Sequence, residues 1–463
     1  MSKPLLRIPY TGPLPAPLII PPSAATKHGA IAALAKFLTS PLPSSHTGII
    51  DGNKSSDSNQ EKPRTVLLSG AGLSTASGLA DYRGPRGTYT QNRSYRPIYF
   101  HEFVDSHTSR QRYWARSFLG WRGLKRSKPN AGHEAIRDLG SLGLVTHVVT
   151  QNVDSFHPIA HPTLPTVELH GYLRTLICLS CGREMDRAEF QSRLAALNPA
   201  WAEFLAQLLK TGALDTEDPV ERRSRGLKTN PDGDADVPGA PYSTFRYPAC
   251  PSCVKRPPIV GSSSSSSGGG RKGGEKLHVQ VDADGAWIES NLLKKGGSST
   301  STTTAPGILK PNVIMFGESI PARIKAEAES AIDSANRILV VGSSLATYSA
   351  WRLVKRAADR SMPIAILNMG GVRKEDAFFN HIVPAASFQE EQQQQQQQQQ
   401  NQTSATTQRF AIGVEQGSGK TGDSDSGLTS SSSGLGPVRA SLPAEEVLPG
   451  VVQEVKRILG SGH

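Results

Sequence analysis

Four short apolar runs constrain this chain more than any other feature. They are Thr65-Val-Leu-Leu68, Val145 to Val149, Ile338-Leu-Val-Val341 and Ile364-Ala-Ile-Leu367. A strand with one wet face alternates apolar and polar residues, whereas a strand covered on both faces reads as a continuous run. Helical stretches separate the runs, which predicts an α/β fold with a doubly wound, Rossmann-like parallel sheet. The runs end in Ser69-Gly70-Ala71-Gly72, Thr150-Gln151-Asn152-Val153-Asp154, Gly342-Ser343-Ser344 and Asn368-Met369-Gly370-Gly371. Ligands of open α/β sheets bind beyond the carboxyl ends of strands. Small and amide-bearing residues at four such ends suit a phosphate or a ribose.

The chain has 4 cysteines, and they come as Cys178-Leu-Ser-Cys181 and Cys250-Pro-Ser-Cys253. Two CxxC pairs fit a tetrahedral Cys₄ zinc site. A redox pair or unrelated buried thiols are the alternatives. The pairing of every cysteine favours one Zn²⁺, and a closed site of this kind is structural. The residues between the pairs then form a small zinc-binding domain, over about 171–257.

The 463 residues include 33 prolines and long Ser, Gly and Gln tracts, so much of the chain reads as unable to pack. Residues 258–306 and 387–440 read as disordered inserts, as does roughly 213–240. The remaining parts are an N-terminal arm, helix (28–39) and loop over 1–63, and a nucleotide-binding domain over 64–170 and 307–386. A C-terminal strand and helix over 441–463 complete that domain. A helical module is expected near 93–129, with Trp114, Phe118 and Trp121 of helix 107–121 facing a core. No run approaches the ~20 apolar residues of a membrane span. The net charge is +11, yet no helix carries a basic stripe, so no direct nucleic-acid binding is expected. The first 50 residues contain no Asp or Glu, which fits a mitochondrial (matrix) targeting segment, although a Pro-rich arm would look similar.

Gly70-Ala-Gly-Leu-Ser-Thr-Ala-Ser-Gly78 resembles a dinucleotide fingerprint, but Thr75 stands where its third glycine would be. No acidic residue near position 90 follows to grip a ribose, which disfavours a dehydrogenase. The loop still suits a pyrophosphate: glycines remove Cβ atoms and the next helix would offer N-terminal amides.

Further motifs join this loop in order: Gly78-Leu-Ala-Asp-Tyr-Arg83, Thr150-Gln-Asn-Val-Asp154, Glu168-Leu-His-Gly171, the two CxxC pairs, Leu309 to Glu318, and Val341-Gly-Ser-Ser344. Together they resemble the sirtuin family over about residues 17–386, resuming at Ala444 to Pro449. Arg110-Gln-Arg-Tyr-Trp-Ala-Arg116 and Asp81-Tyr82-Arg83 look most like class II members of the mitochondrial sirtuin-four type.

The resemblance implies an NAD-dependent protein-lysine deacylase, with NAD consumed as co-substrate and acyl-lysine proteins as partners. Such enzymes cleave the nicotinamide–ribose bond, pass the acyl group to ADP-ribose and release lysine. By resemblance His170 is the general base, Asn152 meets the ribose and Asp154 holds the nicotinamide amide. Gly70, Ala71, Gly72, Ser74, Gln151, Val153, Gly342, Ser343 and Ser344 surround the phosphates and riboses. Asp81, Tyr82 and Arg83 close over the nicotinamide side, while Asn368, Met369, Gly370 and Ala444 meet the adenosine. Val313 to Gly317 forms an extended strand beside the incoming lysine.

The chain departs from the family pattern at Ala80, where proline is common, and at Gly84, where serine is usual. The Tyr-x-x-Arg pair of desuccinylating relatives has no clear match after Gly87, which disfavours succinyl specificity. An ADP-ribosyltransferase or a silent NAD-binding module are the rival readings.

Overall fold

The computed structural model describes residues 14–41, 63–84, 87–91, 95–210, 228–229, 235–237, 239–260, 275–289, 305–379 and 436–461. Its main strands are β1 (Thr65–Ser69), β2 (Val145–Thr150), β3 (Thr166–Glu168), β4 (Gly171–Cys178) and β5 (Glu184–Asp186). They continue with β6 (Leu309–Val313), β7 (Arg337–Val341), β8 (Ile364–Leu367) and β9 (Val438–Ala440). The helices used below are α1 (Lys27–Thr39), α2 (Phe100–Asp105), α3 (His107–Arg126), α4 (Ala131–Ser141) and α5 (Arg187–Leu197). After them come α6 (Pro199–Lys210), α7 (Ala322–Asp333), α8 (Tyr348–Asp359) and α9 (Ala444–Gly460).

Six strands form one parallel sheet in the order β9-β8-β7-β1-β2-β3. Successive side chains in each apolar run go to opposite cores. Val66, Leu68, Ile338, Val340, Ile364 and Ile366 pack with Ile332 of α7 and Leu353 of α8. Leu67, Leu339, Val341, Ala365 and Leu367 pack with Leu34 of α1, Ile136 of α4 and Val451 of α9. Burial on both faces explains the continuous apolar runs. The helices start where the sequence offers caps: Thr26 accepts from Gly29 N at 3.1 Å and Asn130 from Gly132 N at 2.9 Å.

A second, antiparallel sheet runs β6-β4-β5. Its core gathers Trp114 and Phe118 of α3, Phe190 of α5, Trp201 of α6, Tyr247, Trp287 and three of the cysteines. Three expectations change here. The helical module, expected within the nucleotide-binding domain, shares this core, and Trp121 is half-buried with the Arg187 guanidinium 4.6 Å over its ring. Strand β6, expected in the nucleotide-binding domain, pairs with β4. Residues 277–289, expected within a disordered insert, fold back on the module: Trp287 is buried and its N–H donates to the Tyr247 carbonyl at 2.9 Å. Trp287 and the buried Ala286, with Val279 and Val281 packed against the same core, supply the apolar surface that holds it there.

The last strand also starts earlier than expected, at Val438, inside the stretch read as a Gln/Ser-rich insert. The other parts of the expected inserts, at 211–227, 261–274, 290–304 and 380–435, lie outside the described residues, as do 1–13 and 42–62. Among the described residues no helix is long and apolar enough to cross a membrane.

Candidate active site

The strand order reverses between β1 and β7, because chain connections leave these neighbours in opposite directions. In doubly wound sheets that switch point is where a crevice opens. Here a cleft of about 790 Å³ lies beyond the strand ends. Every nucleotide-site residue named from the sequence lines it except Ala444. Ala444 begins α9 and is buried in the core with Val447 and Leu448, so its assignment to the adenosine contact is corrected.

The glycines also serve the packing of two neighbouring loops. A Cβ on Gly70 or Gly72 would lie 2.8 or 2.9 Å from the Gly342 carbonyl oxygen, so these residues make room for the neighbouring loop. Gly70 N–H donates to the Val341 carbonyl at 3.0 Å and Gly72 N–H to the Gly342 carbonyl at 2.9 Å. Gly342 has φ +62°, and a Cβ there would meet Leu73 N at 2.3 Å. Glycine is therefore required for both conformation and contact. No α-helix follows the loop either. Residues Ala71–Leu73 and Thr75–Ser77 form single 3-10 turns, so no helix N-terminus serves a pyrophosphate here.

Asn152, Ser74 and Asp154 form one hydrogen-bonded set. Asn152 Nδ2 donates to the Gly70 carbonyl and to Ser74 Oγ, both at 3.1 Å. Ser74 Oγ in turn donates to Asp154 Oδ2 at 2.7 Å. Burial raises the Asp154 pKa above the usual carboxylate value, while bonds from Phe156 N and Ser74 Oγ oppose the shift.

His170 follows β3 and lies beneath the cleft. Its Nδ1 is 3.1 Å from the Gln151 carbonyl oxygen, which can only accept, so Nδ1 carries the proton. Nε2 then holds a lone pair and accepts from Ser349 Oγ at 2.8 Å. Burial lowers the pKa of the imidazole to about 4, with the bond to Gln151 opposing. Ser349, at the start of α8, was not foreseen; no motif marks it.

Gln151 ties three strand ends together. Its Nε2 donates to Ser343 Oγ at 2.6 Å and to the Ser69 carbonyl at 3.3 Å, and its Oε1 accepts from Thr347 Oγ1 at 3.0 Å. On the far side, Asp81 Oδ2 accepts from Gly84 N at 3.1 Å. A Cβ on Gly84 would lie 2.1 Å from that oxygen, so a serine here would require the Asp81 carboxylate to turn aside. The Arg83 guanidinium lies 5.0 Å over the Tyr89 ring, and Tyr82 stacks on Tyr89.

Tyr113 and Arg116 also line the cleft, three residues apart on α3. Arg116 is almost fully buried, 5.9 Å from the Tyr95 ring centroid. This is a Tyr-x-x-Arg spacing after Gly87, so the expectation that such a pair has no match there is corrected. The segment expected to be a strand beside the lysine ends its pairing at Val313 and turns at residues 316–317. Ile314 N–H donates to the His170 carbonyl at 2.8 Å and Met315 N–H to Glu318 Oε2 at 2.8 Å.

Under the floor, a second network went unread in the sequence. Ser69 Oγ donates to Thr150 Oγ1 at 2.8 Å, so His157 Nε2, 2.7 Å away, donates to Ser69. His157 Nδ1 then accepts from His161 Nε2 at 2.8 Å. His133 stands against this chain, its ring 5.2 Å from that of His157. Burial lowers all three pKa values, that of His133 to about 3.

The four cysteine sulfurs lie within 4.8 Å of one another. Cys178 and Cys253 approach to 3.6 Å and Cys181 and Cys250 to 3.8 Å. Zn–S bonds of about 2.3 Å give a tetrahedral edge of about 3.8 Å. The cluster therefore fits one zinc ion and is far too open for disulfides.

A crevice with paired amide, carboxyl and imidazole groups at a switch point defines the class as a doubly wound dinucleotide-site protein. The family model described as "Sir2 family" matches residues 70–349. The "NAD-dependent protein deacylase SIR4" of Batrachochytrium dendrobatidis is 37% identical over 317 residues, covering 68% of this chain and 83% of the relative. The "NAD-dependent protein deacylase SRT2" of Arabidopsis thaliana is 32% identical over 318 residues, covering 68% and 69%. A solved structure described as "Structural Basis for the Mechanism and Regulation of Sir2 Enzymes" aligns with 21% identity and a TM-score of 0.43, covering 85% of this chain and 93% of that one. The chain belongs to the Sir2 family.

Proposed function

We propose that the protein is an NAD-dependent protein-lysine deacylase that cleaves the nicotinamide–ribose bond and transfers the acyl group to ADP-ribose. The observation that carries this reading is the tautomer of His170, whose unprotonated Nε2 is turned to a hydroxyl at the cleft. Such an imidazole can take a proton from a ribose hydroxyl. Asn152 offers a neutral dipole near the developing charge, and a buried Asp154 accepts from a carboxamide or from Ser74. Gln151 holds His170 in register through its carbonyl and the β7 loop through its side chain. The zinc ion, held by Cys178, Cys181, Cys250 and Cys253, supplies structural cross-linking of the small module.

Arg116 and Tyr113 support an acidic acyl group as substrate, since a buried guanidinium favours a carboxylate partner. The acid-free first 50 residues support a mitochondrial matrix location, which imaging of a fluorescent fusion would test. The experiment for the activity itself is nicotinamide release from NAD with acyl-lysine peptides. Loss of release in His170→Tyr with NAD affinity retained is the expected result. A mass gain of ADP-ribose on protein would favour the transferase.

A further inference from the structure

Residues Leu14 to Ile20 follow the β9 edge of the parallel sheet without belonging to its strands. Ile20 N–H donates to the Arg439 carbonyl at 3.0 Å, and Arg439 N–H to the Ile20 carbonyl at 2.7 Å. Leu18 and Ile20 pack toward the core of α7 and α8, and Ile19 toward the opposite one. Edge strands are commonly covered in this way.

Beneath the arm lies a fully buried ion pair, Arg439 with Glu375. Glu375 Oε1 accepts from Leu18 N at 3.2 Å, while Arg439 donates to the carbonyls of Asn368 at 3.0 Å and Gly370 at 2.6 Å. One ion pair thus fastens both the arm and the loop after β8. At its near end the arm enters the cleft: Leu14 is among the lining residues. The Pro15 carbonyl packs so closely on Gly371 that a Cβ there would lie 1.8 Å from its oxygen.

We propose that Leu14–Ile20 is a wall of the dinucleotide site, with Leu14 contacting the nucleoside half that lies beyond β8. The proposal rests on the NAD reading above. Leu14 and the half-exposed Met369 give this end of a polar cleft two apolar surfaces, suited to the face of a purine base. Removal through Ile20 strips one wall from the site.

The test is calorimetric titration with ADP-ribose and, separately, with nicotinamide mononucleotide, which lacks the adenosine half. The proteins are the full chain, a chain lacking residues 1–11, a chain beginning at Pro21, and Leu14→Ser. The first two are expected to bind ADP-ribose equally. The chain beginning at Pro21 and Leu14→Ser should bind it about tenfold more weakly. Nicotinamide mononucleotide should bind all four alike. Leu14→Ser keeps every anchor from Leu18 to Ile20, so it decides the matter even where the shortened chain fails to fold. Full ADP-ribose affinity in Leu14→Ser overturns the wall. No binding of ADP-ribose or NAD to the full chain overturns the cofactor reading beneath it.

Discussion

His170 Nε2 lies 2.8 Å from Ser349 Oγ, on the side of the ring away from the Gln151 carbonyl. A serine hydroxyl donating to neutral imidazole favours the neutral form, which is the form a general base needs. With a pKa lowered to about 4, His170 stays competent far below pH 6.5. The acid limb of kcat/KM, which reports the free enzyme, should accordingly fall near pH 4. In Ser349→Ala the neutral form loses a partner, the pKa rises, and the limb should move up by about half a unit to one unit. A limb that does not move, or moves down, would remove Ser349 from the account.

Arg116 is buried at the cleft beside Tyr95, one turn along α3 from Tyr113. Arg116→Met should lower kcat/KM for glutaryl-type lysine peptides at least about tenfold relative to acetyl peptides. Equal losses on both peptides would assign Arg116 to structure alone.

How much of this was legible follows from side-chain chemistry. Four strands, their loops and the cysteine cluster could be read because apolar runs and CxxC spacing are local signals. The edge strand β3 could not, since it has three residues, and β9 was expected only after residue 440 because it is as short and carries the buried Arg439. Burial of Arg439 depends on its ion pair with Glu375, which is distant in sequence. The packing role of Gly70 and Gly72 could not be read for a similar reason: the atom each makes room for belongs to Gly342. Ser349, the histidine chain and the Tyr113–Arg116 pair sit on helices or strand ends whose neighbours are set only by the topology.

The zinc site lends itself to a stoichiometric experiment. Metal analysis should give one zinc per chain, and chelation should expose four titratable thiols. Cys178, Cys250 and Cys253 share a core with Trp114 and Trp287, so near-UV dichroism should fall on chelation. Far-UV dichroism from the parallel sheet should largely persist. Four freely reactive thiols without chelator would contradict a metal site.

Acid should loosen the fold before the carboxylates titrate. His133 and His170 have folded pKa values of about 3 and about 4, below the unfolded 6.5. The unfolded chain therefore takes up protons first, and stability that is complete above pH 6.5 is lost progressively toward those folded values. At pH 5 each of the two costs about 2 kcal/mol, and His157 and His161 shift in the same direction. Thermal midpoints should drop between pH 7.5 and 5; a flat profile would show that these imidazoles are not held neutral.

The reaction proposed for this cleft is rupture of the nicotinamide–ribose bond of NAD with His170 as base. The most direct measurement follows free nicotinamide and peptide mass together, for the wild-type chain and His170→Tyr, over a panel of acetyl-, lipoyl- and glutaryl-type lysine peptides. Nicotinamide release matched one-for-one by deacylation in the wild type, and absent in the variant despite retained NAD binding, is the expected result. Binding of NAD with no nicotinamide released from any peptide, by a protein carrying its full zinc complement, would contradict it.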